Sequence, residues 1–405
     1  MEAVLMRILI VSQYFWPENF RVNDLTTALI SKGHKVTVLT GIPNYPEGEV
    51  FSDFEVNKEQ FNHYAGAKVY RVPIIPRKNG KGFNLILNYV SFMISGAVVG
   101  PFKLRNKKFD KIFVFAVSPI TSAIPAIVLG KLKKASVTVW VMDLWPETLL
   151  SLGVIKSGWQ EKLAKRCVSF IYNHCTTILG QSHSFVTSIE KLTHKPVSYF
   201  PSWSDTIESS CRFEYDFTKA FNVVFAGNIG ESQDFPSILK AAELIHLRRV
   251  NVNFLIVGDG RKKQWVENEI NKRNLSSTVK LLGSYPVEAM PSLFLQSDAL
   301  LVTLKSDPVS AQTIPGKIQS YLSSGKPILA MLDGEGANVI EEAKAGITVG
   351  AGDFNGLATG VEKMYNSSDK IIKSYGVAAK TYYMANFDRD IVIGKLIDIF
   401  KENNY

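Results

Sequence analysis

The run Pro315-Gly316-Lys317 sets a lysine where a helix would begin. Proline and glycine suit that place, whereas a cation in a first turn opposes the helix dipole. A bound diphosphate would reverse the penalty; a solvated lysine at a helix start is the plainer alternative. Three glycine-rich turns lie upstream, at residues 227–230 (Gly-Asn-Ile-Gly), 258–261 (Gly-Asp-Gly-Arg) and 283–286 (Gly-Ser-Tyr-Pro), each directly after an apolar run. Glycine lets the backbone approach a ligand closely, and a helix start behind it favours phosphate. One such turn ends many strands. Three in succession, containing Gly227, Gly230, Gly258, Gly260 and Arg261, strengthen the case for ligand contact.

In the first half, Arg21 closes the run Trp16-Pro17-Glu18-Asn19-Phe20. Its guanidinium would clamp a phosphate by paired hydrogen bonds, or else make a surface ion pair. Asp143 follows the apolar run that ends at Met142. A carboxylate at the carboxyl end of a central strand faces a ligand crevice. There it would orient or deprotonate a hydroxyl, unless it only caps a helix. One Asp-x-Asp occurs, Asp388-Arg389-Asp390; it precedes the last helical stretch and reads as a cap, so no metal is expected. Isolated histidines such as His34 and His183 lack metal-ligand spacing and read as structural.

The elements that would position these residues follow from the apolar pattern. Residues 8–11, 35–40, 68–73, 111–115, 136–142 and 176–180 are short apolar or β-branched runs separated by helical stretches, the signature of a doubly wound α/β domain. A second series begins at 222 and continues at 253–257, 279–282, 299–303 and 327–330. The fold expected is α/β, two Rossmann-like domains facing across a cleft, with ligand at the carboxyl ends of the strands. The chain has 405 residues, which suits two domains. They are placed at 1–205 (acceptor and membrane side) and 206–385 (donor side), with a C-terminal helix at 386–405 packing back on the first.

The net charge is +9, and it is uneven. Residues 1–200 hold 24 Lys and Arg against 13 Asp and Glu, while the remainder has a net of −2. From Lys68 to Phe109 there are nine basic residues and no acidic one. Such a surface calls for an anionic partner. Within that run residues 82–102 carry no charge and approach the length of a membrane span. Asn84, Asn88, Ser91 and Ser95 form one polar stripe along it. Spanning would divide one domain across a bilayer, which leaves two readings: a buried core helix, or a helix lying in a membrane interface. Three cysteines form no metal-ligand spacing, and their odd number points to a reducing compartment. No export signal is read at the N-terminus, so the expected location is cytoplasmic, peripheral at the inner face of the cell membrane.

The segments AGNIG, IVGDG, LLGSYP and IPGKIQSYLSSGKPIL, in this order, resemble the donor domain of family 4 glycosyltransferases. These are metal-independent, retaining enzymes of the GT-B fold. QYFWPENFRVNDL, GHKVTVLTGIPNYPEG and DLWPETLLSLGVI resemble the subgroup acting in bacterial surface polysaccharide synthesis, most like the N-acetyl-L-fucosaminyl transferases of O-antigen and capsule clusters. The resemblance spans nearly the whole chain. It implies a nucleotide-diphosphate sugar as donor, UDP-linked, and a polyprenyl-diphosphate-linked saccharide as acceptor. Asn228, Gly230 and Lys317 would face the diphosphate, the backbone near Ser284 and Tyr285 would hold the base, Gln312 would approach the donor sugar and Ser320 would lie by the ribose. The loop carrying Glu18, Asn19 and Arg21 would cover diphosphate and acceptor, and Glu147 would bind sugar hydroxyls beside Asp143. The sequence departs from the family in two places. Gln312 and Ser320 stand where two glutamates are usual. Asn228 and Gln233 stand where an arginine and a lysine are common, so Lys317, Arg261 and Arg21 would have to meet the phosphate charge. No nucleic-acid-binding motif is present, and no Gly-x-Gly-x-x-Gly of a dehydrogenase follows the first strand. A sugar-binding protein without chemistry would usually carry an export signal. A nucleotide-sugar epimerase or hydrolase of the same two-domain build is the alternative.

Overall fold

The computed structural model describes residues 5–78, 82–151, 153–204 and 211–402. Lys81 of the basic run and the expected boundary at 205/206 lie outside them. Two compact units are present, residues 1–201 with 393–405, and residues 202–392.

The first unit holds eight strands among the described residues: β1 (Arg7–Val11), β2 (Lys35–Gly41), β3 (His63–Tyr64), β4 (Ala67–Val72), β5 (Lys111–Ala116), β6 (Ser136–Val141), β7 (Thr177–Gly180) and β8 (Val197–Tyr199). They form one sheet in the order β3-β4-β2-β1-β5-β6-β7-β8. All pairs are parallel except the short β3–β4 pair. β5 and β6 are buried at every position, as expected of parallel strands covered on both faces. Side chains alternate across β1. Leu9 and Val11 enter a core with Phe92, Leu129 and Ile171, while Ile8 and Ile10, equally buried, point to the opposite face. The strand order turns at β1 and β5, so the loops leaving those strands open a crevice at their carboxyl ends.

Helix Gly82–Lys103 crosses from β4 back to β5. It lies tight against helix Ile124–Lys133, because a Cβ on Gly96 would come within 2.6 Å of Pro125 Cγ. The last helix, Arg389–Glu402, crosses the division between the units. Its Leu396 and Phe400 are buried, and the Phe400 ring stands edge-on to Phe113 at 6.2 Å. Asp388 Oδ1 accepts the backbone N–H groups of Asp390 and Ile391, so the Asp-x-Asp is the helix cap its position suggests.

The second unit has β9 (Phe221–Ala226), β10 (Val252–Val257), β11 (Val279–Gly283), β12 (Ala299–Thr303), β13 (Ile328–Met331) and β14 (Gly346–Val349). The order is β11-β10-β9-β12-β13-β14, parallel throughout. Val224 and Leu300 pack on one face, Val223 and Leu301 on the other. The crevice of this sheet lies between β9 and β12. Three strands go unseen in the sequence pattern: β3, β8 and β14. All lie at sheet edges, and β8 and β14 are half-buried at every residue, so neither alternation nor a continuous apolar run marks them.

Candidate active site

In the second unit the glycine turns interlock. Gly258 has φ +140°, and a Cβ there would lie 1.9 Å from the Gly227 carbonyl oxygen. Only glycine permits that approach. The Gly227 N–H donates to the Val257 carbonyl at 2.9 Å, and the Gly258 N–H to the Gly283 carbonyl at 2.8 Å. The loops after β9, β10 and β11 are thereby joined in one corner. The Asn228 side chain fills the space beside the glycines: a Cβ on Gly230 would meet its Nδ2 at 2.6 Å, and one on Gly260 its Oδ1 at 2.5 Å.

Lys317 projects into the same corner from the first turn of helix Gly316–Ser324. Its Nζ donates to Gln233 Oε1 at 2.8 Å and sits 3.9 Å from the centroid of the Phe225 ring. A Cβ on Gly227 would be 3.3 Å from that ammonium. Burial pulls the lysine down to about 7 from its ordinary value of 10.5. The helix is fixed one turn further on by Tyr321, whose hydroxyl accepts the Ala226 N–H at 3.1 Å. An anion at this corner would find backbone groups, a helix N-terminus and a poorly solvated ammonium together. Beside it, Glu231 pairs with Lys262 at 2.6 Å and with Lys305 at 2.5 Å, and the two ammonium groups hold its carboxyl down at about 2.

Gly227, Asn228, Gly230, Gly258, Gly260 and Lys317 are thus brought together. The other expected donor residues stand as follows. Arg261 and Ser284 are exposed. Tyr285 packs its ring on Phe213 at 4.3 Å. Gln312 lies on the turn Ser310–Gln312 and bonds the Pro308 carbonyl at 3.2 Å. Ser320 lines a cavity of roughly 420 Å3 with Met290, Phe294 and Tyr383. Gln233, Phe225 and Tyr321 complete the corner, and of these only Gln233, standing where a lysine is common, carries a signal in the sequence.

In the first unit, Asp143 follows β6 and is half-buried. Its Oδ2 accepts the Ser118 N–H at 3.0 Å and the Ser118 hydroxyl at 2.7 Å. Ser118 also accepts the Trp145 indole N–H at 3.1 Å. Asp143 therefore ties the β5 loop to the β6 loop instead of capping a helix, and no described residue bonds its Oδ1. Ser118 was findable, since it too stands just past the carboxyl end of a central strand. Glu147 heads helix Glu147–Ser151, with its Oε2 buried and unpartnered among the described residues. Asn19 is exposed, and Arg21 begins helix Arg21–Ser31.

Glu18 requires a correction. It is only 2% exposed. Its Oε2 accepts the Phe15 N–H at 3.0 Å, and its Oε1 accepts those of Asn44 and Tyr45 at 2.9 and 2.8 Å. Both oxygens are consumed in clasping the loop after β1 to the loop after β2, so the side chain is not presented to an acceptor. Burial pushes its carboxyl up to about 7, against the pull of the three amide donors and of Arg71. Arg71 is buried too, and donates to the carbonyls of Gly41 and Trp16. It must be taken out of the basic surface.

Residues 220–367 match the family described as glycosyl transferases group 1. WcaI of Escherichia coli (strain K12), named for a glycosyl transferase of colanic acid biosynthesis, is 25% identical over 343 residues, 79% of this chain and 82% of its own. The crystal structure of HepE from Anabaena, in complex with UDP and glucose, superimposes with a TM-score of 0.66 at 13% identity, over 98% of this chain and 100% of that one. WaaG, a glycosyltransferase involved in lipopolysaccharide biosynthesis, does so with a TM-score of 0.63 at 13% identity, over 98% and 99%. The chain therefore has the two-domain α/β architecture of the GT-B fold, and its residues 220–367 match a group 1 glycosyl transferase domain.

Proposed function

We propose that this enzyme transfers a sugar, read as N-acetyl-L-fucosamine, from its UDP donor to a polyprenyl-diphosphate-linked saccharide, with retention and without a metal, in O-antigen or capsule synthesis at the inner face of the cell membrane. The observation that carries the reading is the corner in which Lys317 meets Gln233 beside the Gly227 and Gly258 turns. The HepE complex with UDP and the name of WcaI support a nucleotide sugar and a surface polysaccharide. The leaving diphosphate would gather charge as the sugar becomes oxocarbenium-like. Lys317 and the backbone of the corner would stabilise that charge in a site where it is poorly screened. Asp143, with Oδ1 outside the Ser118 bonds, would orient the acceptor hydroxyl.

The test is a panel of UDP-sugars offered with a polyprenyl-diphosphate-linked saccharide, with the anomeric configuration of the product read by NMR. Lys317→Ala should lower kcat by about 100- to 1,000-fold, the cost of losing one preorganised charge-stabilising group, with the circular dichroism spectrum unchanged. Donor turnover that is equally fast without acceptor would mark an epimerase or hydrolase instead.

A further inference from the structure

Helix Gly82–Lys103 is oriented against the usual rule. Its polar residues point inward. Asn88 is fully buried, accepts from Gln13 Nε2 at 2.7 Å and donates to the Ile75 carbonyl at 2.7 Å. Ser91 accepts the Ile75 N–H at 2.9 Å. Its apolar residues point outward: Phe83, Ile86, Val90, Ile94, Val98 and Phe102 are all exposed, Phe83 and Phe102 by 72% and 70%. Their spacing of three and four residues makes one continuous ladder, about 28 Å long at 1.5 Å per residue. Helix Trp159–Asn173 repeats the arrangement. Val168 and Ile171 join the same core as Phe92, whereas Trp159, Leu163 and Phe170 are exposed beside Lys162 and Arg166.

We propose that this face of the first unit docks on an anionic lipid bilayer, with helix Gly82–Lys103 lying in the plane of the interface. Charge selects the occupant. The ladder ends at Lys103, and an open basic recess of roughly 660 Å3 follows, lined by Arg105, Lys107, Lys108 and Lys134. A second copy of the chain would set these cations against cations, while anionic head groups neutralise them. Apolar burial and head-group attraction together are what an interfacial helix requires. The helix cannot span, because it joins two strands of one sheet and its Asn88 amide is spent inside the unit. Its Asn88 and Ser91 are bonded to the loop at Ile75 and to Gln13, just past β1. Docking therefore brings the acceptor loops down to lipid level. That last step alone rests on the proposed lipid-linked acceptor.

The experiment is sedimentation of the full chain with phosphatidylcholine vesicles, with and without phosphatidylglycerol. The wild type should bind the anionic vesicles. Ile94→Asp/Val98→Asp and Lys107→Glu/Lys108→Glu should each lower the partition constant roughly tenfold or more, with near-UV circular dichroism and UDP binding unchanged. Undiminished binding by Ile94→Asp/Val98→Asp would overturn the proposal. So would failure of the wild type to bind phosphatidylglycerol, or a wild-type dimer that this variant splits. No donor or acceptor enters the assay, so its failure and failure of the catalytic reading are separable.

Discussion

The cation at residue 317 and the missing cation at residue 233 are both visible in the sequence, but their meeting is not. They stand 84 positions apart, and only the order of β9 and β12 in the sheet brings the Lys317 ammonium to Gln233 Oε1 at 2.8 Å. We propose that Lys317 supplies the charge that Gln233 lacks. If so, Gln233→Lys introduced into Lys317→Ala should recover a measurable part of kcat/KM, whereas Gln233→Ala in the same background should recover none. The depressed lysine adds a linkage test. Free protein above about pH 7 holds Lys317 largely neutral, and a diphosphate favours its ammonium form. UDP binding between pH 7 and 10 should therefore take up protons, at most about one per UDP. Calorimetry in buffers of different ionisation enthalpy would read that uptake, and in Lys317→Ala it should vanish.

Strands were more legible than loops, for a physical reason. A parallel strand buried on both faces must be apolar throughout, so β5 and β6 announce themselves. A loop residue such as Glu18 has its surroundings decided by whichever loop the sheet order sets beside it, here that of β2. The sequence shows a carboxylate near a candidate acceptor site; the fold turns it inward as a clasp. Glu18→Ala would leave three amide donors unmet and should cost about 2–3 kcal/mol in urea unfolding. Its titration has a defined sign. The unfolded carboxyl loses its proton near 4.5 and the folded one near 7. The folded state thus binds more protons in that window, and stability falls as pH rises through it. Above about 7 the loss is complete. Glu18→Gln should flatten the slope of melting temperature between pH 4.5 and 7, and an unchanged slope would place the titration elsewhere. The helix Gly82–Lys103 was half legible in the same sense. Its polar stripe was apparent, but whether the stripe faced solvent or the sheet depended on Ile75 and Gln13.

For the molecule as a whole, charge and chemistry are divided between the halves. Residues 1–200 carry 24 basic against 13 acidic side chains, and the rest of the chain has a net of −2. That division is read directly from the sequence. Which cations act on the outside is not: Arg71 is buried, while Lys103, Lys107 and Lys108 are exposed. The two proposed binding events should consequently answer differently to salt. Exposed cations are screened over a Debye length that shrinks from about 10 Å at 0.1 M to about 3 Å at 1 M. Lys317, sunk against Phe225 and bonded to Gln233, is shielded from that screening. Raising sodium chloride over this range should strip the protein from phosphatidylglycerol vesicles while changing its affinity for UDP much less. Measured on one preparation, parallel losses of both would mean that the first-half cations also hold the donor, and the assignment of the diphosphate to the second unit would fall.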